Sequence, residues 1–210
     1  MAERNRTSAA RLCRGGLILL LPLVLGIGAF VGYGVANHNF HTVSPGRVYR
    51  SGQMNATALN KAITEHGIKT IINLRGSGVD SDWYRQETNT ARLLGAQHYD
   101  FNLSAGREVD DAMMEQILAV MESAPKPVLI HCKNGADRSG LVGALYLYSL
   151  EGKTASEADR QLTVFYGHVP YLFWRDTIAM DRSFWRYVSN HVQLPNHRVA
   201  RVSGSPLSGN

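Results

Sequence analysis

Pro127-Val128-Leu129-Ile130-His131-Cys132-Lys133-Asn134-Gly135-Ala136-Asp137-Arg138-Ser139-Gly140-Leu141 is the stretch whose reading decides the fold. Its first four residues form an apolar run that predicts a short buried strand, and Leu141 to Tyr148 predicts a buried helix. Between them lies a glycine-containing turn with a cysteine and an arginine six positions apart, Cys132 and Arg138. A turn of this kind between strand and helix is an oxyanion cradle with a nucleophile at its base. Its backbone N–H groups can point inward, and the helix start adds partial positive charge. The same field favours a thiolate. The planar fork of Arg138 matches two oxygens of a phosphoryl group.

This stretch resembles the His-Cys-x5-Arg-Ser/Thr signature of the cysteine-dependent protein tyrosine phosphatase superfamily. Within it, the chain is most similar to the compact bacterial dual-specificity-type members. A Cys-x5-Arg spacing alone is common by chance, and the strand–loop–helix flanks make the likeness specific. The segments Tyr49-Arg50-Ser51-Gly52 and Ile71-Ile72-Asn73-Leu74-Arg75 precede the loop in the family's order, so the resemblance covers about residues 47–190. It implies an α/β fold with a central, mostly parallel sheet flanked by helices. It also implies metal-independent phosphate monoester hydrolysis through a phosphocysteine, with no cofactor. Cys132 would be the nucleophile, and Lys133, Asn134, Gly135, Ala136, Asp137, Arg138 and Ser139 the phosphate cradle. Arg138 would bind equatorial oxygens, Ser139 would hydrogen-bond the sulfur, and His131 would fix the loop. Asp137, beside Arg138, is less expected, and its side chain should face outward or cap the following helix. The family's general acid is an Asp on a loop roughly thirty residues before the cysteine, within reach of the leaving oxygen. Asp100 lies 32 residues upstream, in or near the end of a strand. Glu108 and Asp110 on the following loop are the alternatives, and Asp110 reads equally as a helix N-cap.

Outward from the loop, strands alternate with helices, the pattern of a mostly parallel sheet with helical cover. Residues 48–53 predict a strand and turn, 69–74 and 96–103 two further strands. Asn55 caps a predicted helix that ends at Gly67. Further helices are predicted over 80–94, 110–123, from Thr154 or Ser156 to Tyr166, and over 176–191. Residues 37–46 read as a polar linker, 47–192 as the phosphatase domain and 193–210 as a polar tail. Phe165, Tyr166, Tyr171, Phe173 and Trp174 read as packing of the last helices, or else as a wall of the substrate cleft or a membrane-facing edge.

The first 14 residues are basic, and Gly15 to Ala36 is an uncharged run of 22 residues, long enough to span a bilayer. Four arginines precede it, which favours a cytoplasmic N-terminus and a domain on the far side, the periplasmic side in a bacterial-type envelope. A cleaved secretory signal is the rival reading and leaves the domain on the same side. The net charge is +5, but residues outside this segment carry only 18 basic against 16 acidic side chains. With no Lys/Arg cluster interleaved with aromatics, nucleic acid is a poor partner. Cys13 and Cys132 fall on opposite sides of the apolar run, so no disulfide between them is expected. The eight histidines show no metal-ligand spacing. The expected partners are a phosphorylated protein, a phosphorylated lipid or envelope glycan, or an inositol phosphate, besides the membrane itself. A phosphate-binding sensor of weak catalytic power is the reading from another class.

Overall fold

The computed structural model describes residues 22, 24–26, 28–29, 32–171 and 176–191. Five strands form one sheet: β1 (His41–Ser44), β2 (Val48–Ser51), β3 (Thr70–Asn73), β4 (Gln97–Asp100) and β5 (Val128–His131). Their order is β1-β2-β5-β3-β4, with β1 antiparallel to β2 and every other pair parallel. The side-chain period of two in a strand sends alternate residues to opposite faces. Val48, Ile72 and Ile130 therefore join one core, under helices α3 (Asp111–Ser123), α4 (Asp137–Ser149) and α6 (Ile178–Asn190). Tyr49, Ile71 and Leu129 join the other, under α1 (Ala56–His66) and α2 (Asp82–Leu93). Covering both faces is what lets β2, β3 and β5 be buried along their whole length. Each fully buried Ile, Leu or Met of these cores contributes about 1.5–3 kcal/mol.

The caps follow the sequence. Asn55 accepts from the Ala58 N–H at 2.9 Å, and Gly67 closes α1 at φ 63°. Thr154 and Glu157 form a reciprocal capping box at the start of α5 (Ala155–Asp159).

Two expectations are corrected. Residues 37–46 are not a free linker, because they contain β1, and Phe40 stacks on Tyr49 with ring centroids 5.4 Å apart. Their polar composition hid a four-residue edge strand. Nor does a helix continue from Thr154 to Tyr166: α5 stops at Asp159, and only a 3-10 turn, Val164–Tyr166, follows. The Gln161 carbonyl accepts from Arg50 at 2.7 Å instead of from a helical N–H.

Among the described residues no helix is long and apolar enough to cross a membrane. Half of the apolar run 15–36, Cys13, and the tail 193–210 lie outside the described residues.

Candidate active site

The parallel strands end in one row. Ser51, His131, Asn73 and Asp100 are register partners across β2, β5, β3 and β4. In an open α/β sheet the carboxyl ends of the strands are where ligands sit. Cys132 is the first residue beyond that row on β5. It is a free thiol, 2% exposed, with Sγ 3.6 Å from the Ser139 Oγ.

Beyond Cys132 four successive carbonyls are held from outside the loop. The Lys133 carbonyl accepts from the Gln53 N–H at 3.1 Å. The Asn39 amide donates to the Asn134 and Gly135 carbonyls, at 3.0 Å each, and to the Tyr166 carbonyl at 2.9 Å. Arg50 Nη2 donates to the Gly135 carbonyl at 2.9 Å and the Ala136 carbonyl at 2.7 Å. In a planar trans peptide the C=O and the next N–H point opposite ways. Turning these carbonyls outward aims the N–H groups of Asn134, Gly135, Ala136 and Asp137 inward. Among the described residues none of these four N–H groups has a protein acceptor. The result is a concavity of backbone donors at the head of α4, suited to an anion.

The glycines are required by this geometry. Gly135 sits at φ 70°, and a Cβ there would lie 2.4 Å from the Gly52 nitrogen. A Cβ on Gly140 would lie 2.8 Å from the Gln161 carbonyl oxygen.

Arg50 is fully buried, and its guanidinium carbon lies 4.6 Å from the centroid of the Tyr166 ring. Burial pushes it down to about 10, and the proximity of Cys132 works in the opposite direction, so it stays cationic at neutral pH. His38 and Asn39 adopt left-handed backbone at φ 55° and 51°, a strained pairing for residues other than glycine. Asn39 Oδ1 in turn pairs with His41 Nε2 at 2.8 Å.

Arg138 stands at the rim. Nη1 donates to the Leu103 carbonyl at 3.1 Å and, at 3.4 Å, to that of Leu74. Its buried Nε has no protein partner, which leaves the Nε edge of the fork for a ligand. Lys133 and Asn134 are exposed.

Asp137 does not face outward and does not cap α4. It is buried, and its Oδ1 pairs with His168 Nδ1 at 2.7 Å, while His168 Nε2 pairs with Asp181 Oδ2 on α6 at 2.9 Å. Burial alone would lower His168, but the two carboxylates raise it to about 9. Asp137 is thus a tie between the loop and α6, made favourable by a buried imidazolium.

His131 pairs through Nε2 with Glu87 Oε1 at 3.0 Å. Glu87, on α2, also accepts from Gln53 Nε2 at 2.6 Å and pairs with His98 at 2.9 Å. Burial pushes Glu87 up, but its bonds to His131, His98 and Gln53 outweigh this and bring it to about 2.

The three carboxylates considered for proton transfer each have partners. Asp100 ends β4 and accepts from Asn73 Nδ2 at 2.7 Å and from the Tyr84 hydroxyl. Glu108 pairs with Arg186 of α6. Asp110 is the N-cap of α3, accepting from the Met113 N–H at 2.7 Å. Of the aromatic set, Tyr166 covers Arg50, whereas Phe165 and Tyr171 are 72% and 84% exposed and so are not packing residues. Phe173 and Trp174 lie outside the described residues.

Arg50, Asn39, Glu87 and His168 were not legible as site residues. Two had a signal: Arg50 is a charged residue inside a strand buried along its whole length, and Glu87 shares the buried face of α2 with Thr90 and Ala91.

A buried thiol under a turn of inward N–H groups, with an arginine fork at the rim, defines the class of cysteine-dependent phosphatases. The chain belongs to the family described as PTP-SAK, the Swiss Army Knife protein DSP-PTPase phosphatase domain, whose model matches residues 37–184. That match includes β1 and the Asn39 brace. Among curated relatives, the dual specificity protein phosphatase TpbA of Pseudomonas aeruginosa is 31% identical over 117 residues, 54% of this chain and 48% of TpbA. The human dual specificity protein phosphatase CDC14C is 28% identical over 92 residues, 44% of this chain and 19% of that protein. The chain thus spans at most about half the length of these relatives. The crystal structure of TpbA aligns with a TM-score of 0.51 at 24% identity, covering 74% of this chain and 86% of that one. The catalytic core of the PP-IP phosphatase SIW14 from S. cerevisiae aligns with a TM-score of 0.54 at 20% identity, covering 72% and 91%. At these identities the structures show a shared fold.

Proposed function

We propose that this domain hydrolyses phosphate monoesters, phosphotyrosine of proteins foremost, through a phosphocysteine and without a metal ion. The observation that carries the reading is the set of four outward-held carbonyls from Lys133 to Ala136, which turns the following N–H groups onto the space above Cys132. The Cys132 thiolate attacks phosphorus as the ester P–O bond breaks, and the leaving oxygen takes a proton. Arg138 and the loop N–H groups hold the three equatorial oxygens as charge spreads onto them. Water then attacks phosphorus, the P–S bond breaks, and orthophosphate leaves. The Ser139 hydroxyl donates to the departing sulfur. Asp100 is assigned as the proton donor of the first step, on its position in the row of strand ends.

Replacing Cys132 by serine tests this. Turnover of a phosphotyrosine peptide should fall below a few per cent of wild type, while vanadate or phosphate still binds. A serine variant with substantial turnover would exclude the phosphocysteine.

A further inference from the structure

A second guanidinium stands beside the first. Arg75 follows β3, and its chain neighbour Leu74 is bound into the site from both ends. The Leu74 N–H donates to the His131 carbonyl at 2.9 Å, and the Leu74 carbonyl accepts from Arg138 Nη1 at 3.4 Å. Arg75 is not a swinging surface side chain. Its Nη1 donates to Gln53 Oε1 at 2.8 Å, and Gln53 is itself anchored on buried Glu87 at 2.6 Å. Its guanidinium carbon lies 3.7 Å from the centroid of the Trp83 ring. The chain after Arg75 closes over that ring at Gly78, where a Cβ would lie 2.8 Å from Trp83 Cζ2.

Among the described residues no carboxylate lies within ion-pair distance of Arg75. Burial and the neighbouring Arg138 both push it down from the ordinary arginine range, against the pull of Glu87 and Cys132. Like charges held close are unfavourable on their own, and a stack and a tether that keep them there mark a functional arrangement.

We propose that Arg75, oriented by Gln53 and Trp83, forms a second anion subsite beside the Cys132–Arg138 cradle, so that the preferred substrate carries another phosphate or carboxylate next to the phosphoryl group that is cleaved. This deepens the phosphatase reading above and rests on it. Two sources supply that chemistry: an acidic or phosphorylated side chain beside the target residue of a protein, and the remaining phosphates of a small polyphosphorylated molecule.

The test compares wild type with Arg75→Gln and Arg75→Lys, each checked by thermal melt. Inorganic pyrophosphate and orthophosphate are titrated as inhibitors of 4-nitrophenyl phosphate hydrolysis. Wild type should bind pyrophosphate more tightly than orthophosphate. Arg75→Gln should shrink that preference by roughly tenfold or more, the loss of one charge-assisted contact. Arg75→Lys should restore only part of it, because an ammonium neither forks nor stacks as a guanidinium does. A preference unmoved by Arg75→Gln overturns the subsite. If 4-nitrophenyl phosphate is not hydrolysed, the phosphatase reading fails, and calorimetric titration of the same two anions still reads the subsite. To find the source, kcat/KM is measured for a phosphotyrosine peptide with and without an adjacent phosphoserine, and competition is measured with inositol hexakisphosphate. An Arg75-dependent gain in either arm identifies the source, and a gain in neither overturns the proposal.

Discussion

The outer side of the phosphate loop and the segment after β4 are built on opposite principles. The outer side is over-determined: Gln53, Asn39 and Arg50 together fix four consecutive carbonyls. Arg50 makes four hydrogen bonds from full burial, two to the loop and two to Gln161. The segment from Asp100 to Asp110 holds three carboxylates, and each has a structural task. Asp100 binds Asn73 and Tyr84, Glu108 binds Arg186, and Asp110 caps α3. In the proposed reaction, binding of the phosphoryl group is therefore preorganised by the fold, whereas proton delivery must draw on a group that has another partner at rest. That difference is a reason for activity to depend strongly on how good the leaving group is.

The hardest way to break the comparison is Arg50→Met. It keeps much of the volume but leaves the Gln161 carbonyl and side-chain Oε1 without a donor in a buried place, and cuts the Gly135 and Ala136 carbonyls back to one donor each, the Asn39 amide and the Gly140 N–H. Each unsatisfied acceptor costs about 1–3 kcal/mol, so a loss of several kcal/mol in unfolding free energy is expected. Phosphate binding should be lost even where the protein remains folded. Urea unfolding and a phosphate titration check both. A variant that is stable and binds phosphate normally would mean the loop holds its shape without the brace.

The legibility of the chain follows the same division. The strand–loop–helix of 127–148, the caps at Asn55 and Gly67, and the alternation that makes a mostly parallel sheet are local or periodic features, and a sequence displays them. The brace is not local: Asn39, Arg50 and His168 meet the loop from 96, 85 and 31 residues away. Asn39 sits in a polar stretch whose composition predicts a linker, and nothing in that composition signals an amide aimed at three carbonyls. Asp137 was misread because a carboxylate at a helix start has an ordinary local explanation. Its real partner, His168, lies beyond a turn that the sequence pattern continued as helix.

The proton-delivery side is next in expected effect. Asp100→Asn should lower the rate on an alkyl phosphate by roughly 10²–10⁴-fold, the usual worth of a positioned proton. An aryl phosphate with an acidic phenol should lose far less, since its oxygen leaves without help. Glu108→Gln and Asp110→Asn are measured in parallel, and Asp110→Asn should be nearly silent because Asn caps a helix as well as Asp does. A leaving-group-dependent loss in Glu108→Gln with a neutral Asp100→Asn would move the acid to the loop. Neutrality in all three would leave no side-chain acid on this segment.

The smallest effect concerns the alkaline limit of the brace. His168, raised to about 9, titrates before Arg50, which lies at about 10. A folded-state value above the unfolded 6.5 means that folding favours the protonated form. The stabilisation is then complete below about pH 6.5, declines as pH rises, and is lost as pH passes through about 9. A neutral imidazole keeps one N–H, so one of the two carboxylates stays bonded and the other faces it without a proton between them. His168→Gln supplies a donor that never titrates. Melting temperatures of the two proteins, both in a Cys132→Ser background so that the thiol contributes nothing, should differ most near pH 6. The difference should be roughly 2–8 °C, the size of one or two kcal/mol in a domain of this length. The gap should narrow steadily toward pH 9.5. A gap of constant size would show that His168 contributes packing alone and that Asp137 needs no charge opposite it, which would leave the loop's tie to α6 outside the electrostatic part of the brace.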